Sequence, residues 1–371
     1  MTTKRSPRDP TLFDELLWSE SADSGDVTPS LNSAVDAAAE GGEPTQLTFW
    51  TLLADGVDPL DRLIAAGDYL IKDARRHGEV GLIRAEDSSG AFYISVWPTS
   101  EEGVFNLVGT APVTDDRWHR LETWVRRAAP RLVPILLNDA ELVEICAALS
   151  EYGRVEVSRL TARVRGDDSS YSRGWHADDA RRRPSYVDAL EETKGMMVRT
   201  LTLQVKECLS LHLRRDGGAT YYGGKFEAFQ SAVVARLVMA AGERRRLLSD
   251  RQRTASEPVE TAIAVKVPDG TFDDPDAVET VIEAAAQRAT GVAVLHRNPY
   301  LHMAVTDYLD GSNFDAFITR SDEIAIHPGY RASVGALSRL TERLGQAIAG
   351  LEIAETSAED RPTRDELLTT G

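Results

Sequence analysis

The stretch LTLQVKECLSLHL, residues 201–213, decides the fold class that this sequence predicts. Apolar and polar residues alternate in LTLQV, residues 201–205, and again in LSLHL, residues 209–213. Because successive side chains of a strand point to opposite faces, these two runs predict an antiparallel hairpin with one polar face. The residues of that polar face are Thr202, Gln204, Ser210 and His212. The hairpin therefore predicts a sheet that buries one face against a core.

Helix and strand patterns lie on both sides of this hairpin. Residues 58–128 predict a helix that starts at Asp58-Pro59 and ends at Gly78, then a three-strand meander and a second helix. Residues 276–349 predict the same order with different residues, with strands at 292–308, 314–319 and 323–327. Between these two units, Asn138 is the predicted cap of a further helix. Strands seldom alternate one-for-one with helices, which argues against a doubly wound parallel sheet. We therefore expect an α+β protein of two lobes, each a mostly antiparallel sheet flanked by helices.

Composition divides the chain into five regions. Residues 1–45 and 354–371 are polar, carry net charges of −6 and −3, and predict disordered acidic tails. Residues 46–165 predict an N-terminal lobe and residues 186–353 a C-terminal lobe. Between them, residues 166–185, GDDSSYSRGWHADDARRRPS, have the composition of a linker.

The overall composition narrows the class of protein. The net charge is −17, of which about −8 falls between the tails, and this disfavours broad binding of nucleic acid. There is no apolar run of membrane-spanning length, and the N-terminus has no secretory pattern. The two cysteines, Cys146 and Cys208, suit a reducing cytosol, and the abundance of Arg and Ala is typical of bacterial GC-rich coding. These features lead us to expect a cytoplasmic bacterial protein. We expect no cofactor, since the sequence lacks the G-x-G-x-x-G and H-E-x-x-H motifs.

A short amphipathic segment interrupts the N-terminal tail at TLFDELLW, residues 11–18. Its apolar side chains fall at helical spacing around two acids, a pattern typical of segments that fold on a partner groove. The alternative is that the segment packs on its own protein. The candidate partner-binding residues are Leu12, Phe13, Leu16, Leu17 and Trp18.

The segment HRNPYLHMAVTDYLDGSNFD, residues 296–315, combines two histidines, two asparagines and three aspartates with apolar residues, as a catalytic or metal-binding site would. Its R-N-x-x-x-H spacing, over six residues, resembles the catalytic motif of HEPN-family ribonucleases. The resemblance implies that Arg297, Asn298 and His302 act at a scissile phosphate, and Asp315 joins them as a candidate. That family presents its motif on a helix, whereas Pro299 and the alternation after it predict a strand here.

Two other interpretations of the same segment remain open. His302, His327 and Asp315 combine imidazole and carboxylate, the ligands of zinc, manganese or iron sites. Alternatively, Asp310-Gly311 is a common turn pair, and the segment is an ordinary hairpin. The sequence by itself favours the hairpin.

A cluster of arginines closes the long helix predicted over residues 225–249 and continues beyond it. Bases at a helix C-terminus favour its dipole, but the same cluster is the best candidate for an edge that binds nucleic acid. Its members are Arg244, Arg245, Arg246, Arg251 and Arg253.

Since no complete catalytic set is present, the leading hypothesis is a non-enzymatic adaptor or accessory subunit whose partner is another protein.

Overall fold

The computed structural model describes most of the chain between residues 46 and 355. Within it the protein forms two antiparallel sheets and seven helices, which confirms the α+β prediction. Of the predicted tails, the structure describes Trp18, Val35 and residues 354 and 355, which end the last strand; the other tail residues lie outside the described residues. The described residues are 18, 35, 46–88, 90–111, 116–164, 169–175, 183–249, 251, 262–287 and 289–355.

The first sheet uses the strands from Leu47 to Gly224. Along the sheet their order is β2-β3-β4-β5-β1-β11-β10-β9-β7-β8, and the short β6 also pairs with β1. In chain order these strands are β1 (Leu47–Ala54), β2 (Ile71–His77), β3 (Val80–Asp87), β4 (Gly90–Pro98), β5 (Val104–Gly109), β6 (Leu132–Pro134), β7 (Val155–Val164), β8 (Ser170–Gly174), β9 (Met196–Val205), β10 (Leu209–Arg214) and β11 (Gly218–Gly224).

The hairpin of residues 201–213 forms the pair β9–β10, as predicted. Val205 lies opposite Leu209, and the alternation continues from there without a bulge. The polar side chains face the other way, and Thr202 Oγ1 lies 3.0 Å from His212 Nδ1. The buried side chains are Leu201, Leu203, Leu211 and Leu213. The period of two therefore predicted the hairpin and its buried face, and the structure adds the register.

The second sheet has the order β13-β14-β15-β16-β12-β17. Its strands are β12 (Ile263–Lys266), β13 (Thr290–His296), β14 (Leu301–Asp307), β15 (Asn313–Arg320), β16 (Glu323–Pro328) and β17 (Glu352–Glu355). The sequence predicted one strand over residues 292–308, and this was wrong. Two strands form instead, because Pro299 has no N–H to donate to a ladder and lies in the turn that joins them.

The helices cover these sheets. They are α1 (Pro59–Ala66), α2 (Asp116–Ala128), α3 (Asp139–Ser150), α4 (Tyr186–Glu192), α5 (Phe226–Phe229, continued through a π turn at Gln230–Val234 to Ala235–Leu248), α6 (Pro275–Ala285) and α7 (Val334–Ala347). Asn138 begins α3 with a full capping box to Glu141, as its position predicted. None of the helices within the described residues is long and apolar enough to cross a membrane.

The change from one sheet to the other falls between β11 and β12. Of the predicted linker, 166–185, the structure describes residues 169–175 and 183–185, and Ser170–Gly174 form β8 of the first sheet. The strands before and after this range, β7 and β9, are neighbours in the same sheet. The two sheets share one core, a cluster of buried side chains that includes Leu213 and Leu237 as well as Val265 and Leu344. The buried side chains of the two sheets therefore pack against each other in one core.

Candidate functional site

His302 and Asp315 meet on the side of the second sheet that no described helix covers. Leu301, Met303 and Val305 of β14 are buried against the helices, so the alternate residue His302 points the other way. Its Nε2 lies 2.9 Å from Asp315 Oδ1 on β15. The structure therefore brings together these two residues of the predicted catalytic and metal sites.

Phe317 separates this pair from the second imidazole. Its ring stacks on His302, with centroids 4.1 Å apart, and meets the ring of His327 edge-on at 5.3 Å. Asp315 lies opposite His327 in the ladder between β15 and β16. Within the described ranges, no three or more His, Cys, Asp or Glu side chains are arranged to hold a metal ion. The predicted three-ligand metal site is therefore not assembled there.

Arg297 and His302, which are five positions apart in the sequence, contact different parts of the protein. It forms an ion pair with Glu279 of α6, the helix that packs on β13 and β14. Arg297 therefore reaches toward the helix-covered side of the sheet, whereas His302 faces the open side. Asn298 occupies the turn between β13 and β14. Arg297 and His302 therefore have separate acidic partners, Glu279 and Asp315, and their joint action at a phosphate stays a prediction.

Arg244 and Arg251 of the predicted basic edge are used within the protein. Arg244 donates to the carbonyl oxygen of Leu136 at 2.9 Å and to Glu141 Oε1 at 2.8 Å. Arg251 is buried and donates from Nε to the carbonyl oxygen of Leu247 at 2.7 Å. Both side chains therefore hold loops and helix ends together.

The more exposed arginines of α5 also face acids. Arg245 lies 3.3 Å from Glu102 and Arg246 3.4 Å from Glu101, both in the turn between β4 and β5. Arg253 lies outside the described residues. These glutamates offset part of the guanidinium charge, and binding of nucleic acid at this cluster stays a prediction.

Trp18 is the one member of the predicted partner-binding segment that the structure describes. Its ring is partly buried, with Tyr93 of β4 at 5.5 Å between centroids and the Arg75 guanidinium 4.2 Å above it. Trp18 therefore contacts its own protein. The other four residues, Leu12, Phe13, Leu16 and Leu17, lie outside the described residues.

His212 is a perturbed group that the motif search did not single out. It stands in a row of cross-strand neighbours with Thr202, Thr220 and Thr48, the last two with hydroxyls 3.2 Å apart. Burial, followed by the charge of Arg214, lowers the pKa of His212 to about 4. The imidazole is therefore neutral near pH 7, and it joins strands by hydrogen bonding. The hairpin pattern placed His212 on a polar face but could not show that β1 and β11 complete the row.

Strand β13 is the feature of the second sheet that most resembles a binding surface. It is an edge strand with the sequence TGVAVLH, and within the described residues its one strand neighbour is β14. The strand has no Asp, Glu, Lys or Arg, and the side chains of Val294 and Leu295 are 41% and 58% exposed. An apolar edge of this kind offers unpaired backbone N–H and C=O groups to another strand.

The other three sheet edges carry the features that prevent such pairing. Strand β2, IKDARRH, has four charged residues besides its histidine, and a bulge follows Ile71. Strand β8 is five residues long and polar, and β17, EIAE, begins and ends with Glu352 and Glu355. Charged, short or irregular edges are the usual protection against edge-to-edge association. The ladder of β13 also shifts register between Val294 and His296, but β13 is the one edge of these four that carries no Asp, Glu, Lys or Arg.

No protein-family model matches this sequence, and none of the curated protein sequences matches it. Support for a function therefore comes from the geometry of this chain. Of the residues predicted from sequence, the structure brings together His302 and Asp315, and within its described part no third ligand joins them. It also shows an apolar edge that no motif pointed to.

Proposed function

We propose that this chain is a non-enzymatic interaction protein, an adaptor or accessory subunit of a bacterial cytosolic system, that binds another polypeptide by strand pairing at β13. The observation that carries the proposal is the uncharged, exposed edge from Thr290 to His296. A strand added there would complete the backbone hydrogen bonds of β13 and cover the side chains of Val294 and Leu295.

The chemistry of the open sheet face supports binding more than catalysis. His302 and Asp315 hold each other, Phe317 occupies the space beside them, and Arg297 lies on the other side of the sheet. The charged side chains that could attract a nucleic acid at α5 are matched by glutamates. The N-terminal segment from Leu12 to Trp18 stays a predicted second contact with a partner.

A charge placed on the edge tests the proposal. Val294→Lys should lower the recovery of the partner by full-length, tagged protein about tenfold or more, because an edge lysine opposes strand addition. Folding should be unaffected, since Val294 is already 41% exposed. Recovery is measured by quantitative mass spectrometry of the material bound to each variant in cells that make the protein.

Val187→Lys is the matched control. Val187 lies on α4, is 53% exposed, and belongs to no sheet edge. This variant should recover partners as the wild type does. Deleting residues 1–20 separates the contribution of the tail from that of the edge. Equal recovery by wild type, Val294→Lys and Val187→Lys would refute the role of β13.

A further inference from the structure

We infer that the strand that pairs with β13 is β13 of a second copy of this protein, so that two copies join their second sheets into one continuous antiparallel sheet. This inference rests on the proposed function, since it names the partner of the same edge. A pair of this kind has a two-fold axis, with the same surface contributed by both copies.

The sequence of β13 is complementary to itself about Ala293. The segment Gly291–Leu295 is GVAVL, so an antiparallel pair centred on Ala293 sets Val292 opposite Val294 of the second copy. The same centre sets Gly291 opposite Leu295, the residue at which the ladder between β13 and β14 shifts register. Residues directly opposite point to the same face, so each face of the joined sheet can be examined separately.

On the helix-covered face, valines of the two copies adjoin. Val292 lies opposite Val305, and Val294 lies opposite Met303, both of which are buried in the core. Pairing would place Val292 of the second copy beside Val294, which one copy leaves 41% exposed. The core of each copy would thereby continue into the other across the axis.

On the open face, a large residue lies opposite a small one. The hydroxyl of Tyr308 occupies the place that a Cβ at Gly291 would take, so the tyrosine ring lies across this glycine. Leu295 of the second copy would come opposite Gly291 and meet that ring. Leu295 and Tyr308 are 58% and 69% exposed in one copy, and both lose exposure in this arrangement.

Charge favours β13 over the other edge of the same sheet. Two copies that each carry a net charge of −17 repel one another, so they can approach closely only where the surface is uncharged. Strand β13 meets that condition over all seven residues. Strand β17, EIAE, has an acid at each end of its sequence, and like-charge repulsion opposes its pairing with itself.

Site-directed cross-linking tests the register as well as the association. In the proposed pair, the two residues at position 293 face each other with Cα atoms about 5 Å apart, within the range of a disulfide. Ala293→Cys should therefore form a disulfide-linked dimer when the full-length protein is incubated with oxidised glutathione. Leu295→Cys is the control, because its two copies would lie about 13 Å apart along the strands.

The native thiols give little background to this experiment. Cys146 and Cys208 are both buried, and burial raises the pKa of Cys146 to about 12, which disfavours its reactive thiolate. We expect a dimer band for Ala293→Cys on non-reducing electrophoresis, lost on reduction, and a monomer for Leu295→Cys. In sedimentation, the wild type should be a dimer and Val294→Lys a monomer with an unchanged circular dichroism spectrum.

Two results would overturn the inference. One is a wild type that sediments as a monomer at every concentration, and the other is equal cross-linking at positions 293 and 295. If the wild type is monomeric but Val294→Lys still loses a different protein in the recovery experiment, the proposed function stands with another partner. If neither dimer nor partner depends on Val294, both the inference and the proposed function fail.

Discussion

The side chain of His212 lies among the hydroxyls of neighbouring strands, where burial and the charge of Arg214 lower its pKa to about 4. Its pKa in the unfolded chain is about 6.5, so between these values the unfolded chain binds a proton that the folded protein does not. The stability that His212 contributes is therefore present above pH 6.5 and is lost as the pH falls toward 4.

We expect His212→Gln to reduce this loss. Between pH 7 and pH 4.5, the free energy of unfolding of the wild type should fall by about 2 kcal/mol more than that of the variant. Urea denaturation at several pH values measures the difference. Because the glutamine side chain does not titrate in this range, a pH dependence identical to that of the wild type would contradict the assigned pKa.

The residues of the predicted site were found in part from sequence. The alternation after Pro299 placed His302 on the open face, and the hairpin then set Asp315 within hydrogen-bond distance. The side to which Arg297 turns depends on Glu279, which belongs to a helix outside the motif. The position of Phe317 between two imidazoles depends on the register of three strands, which local spacing does not encode.

Among the helices, α7 is closely packed at its start: its first turn contacts Pro130, in the segment that follows α2. The carbonyl oxygen of Pro130 occupies the place that a Cβ on Gly335 would take. We therefore expect Gly335→Ala to lower the free energy of unfolding by about 1–3 kcal/mol, because backbone atoms must move to admit the methyl group. Chemical denaturation measures this change.

Gly345→Ala on the same helix provides the control. A Cβ at Gly345 would have its nearest neighbour, Leu351 Cδ2, at 4.0 Å, so there is room for it. Alanine at this position should stabilise the protein by about 0.5–1 kcal/mol through its higher helix propensity. Similar effects of the two substitutions would contradict the close packing of α7 at Gly335.

Elements with strong local signals were predicted well, and those without them were not. The Asn138 cap and the β9–β10 alternation fixed α3 and the hairpin. The helix predicted to continue to Gly78 ends at Ala66, and Ile71–His77 forms β2. The apolar residues up to Leu70 are compatible with either a longer helix or a strand. Pairing of Ile71–His77 with β3 favours the strand.

In the molecule as a whole, the order of strands in the first sheet depends on contacts between distant parts of the chain. Leu47 of β1 lies opposite Tyr221 of β11, and this pairing carries the sheet across the predicted linker. No local pattern in residues 166–185 could indicate that β1 and β11, which lie on either side of this range in the sequence, are paired. The edge position of β13 is likewise a property of the complete sheet, so the candidate binding surface could not be found from the sequence of that strand.

Hydrogen exchange across a dilution series of the full-length protein tests the pairing of β13 most directly. The backbone amides of residues 291–295 should become more protected as the concentration rises, because pairing with a second copy completes their hydrogen bonds. Residues 301–307 of β14, which already have strand neighbours on both sides, serve as the internal reference. Exchange at residues 291–295 that is equally fast at every concentration would contradict self-pairing through β13.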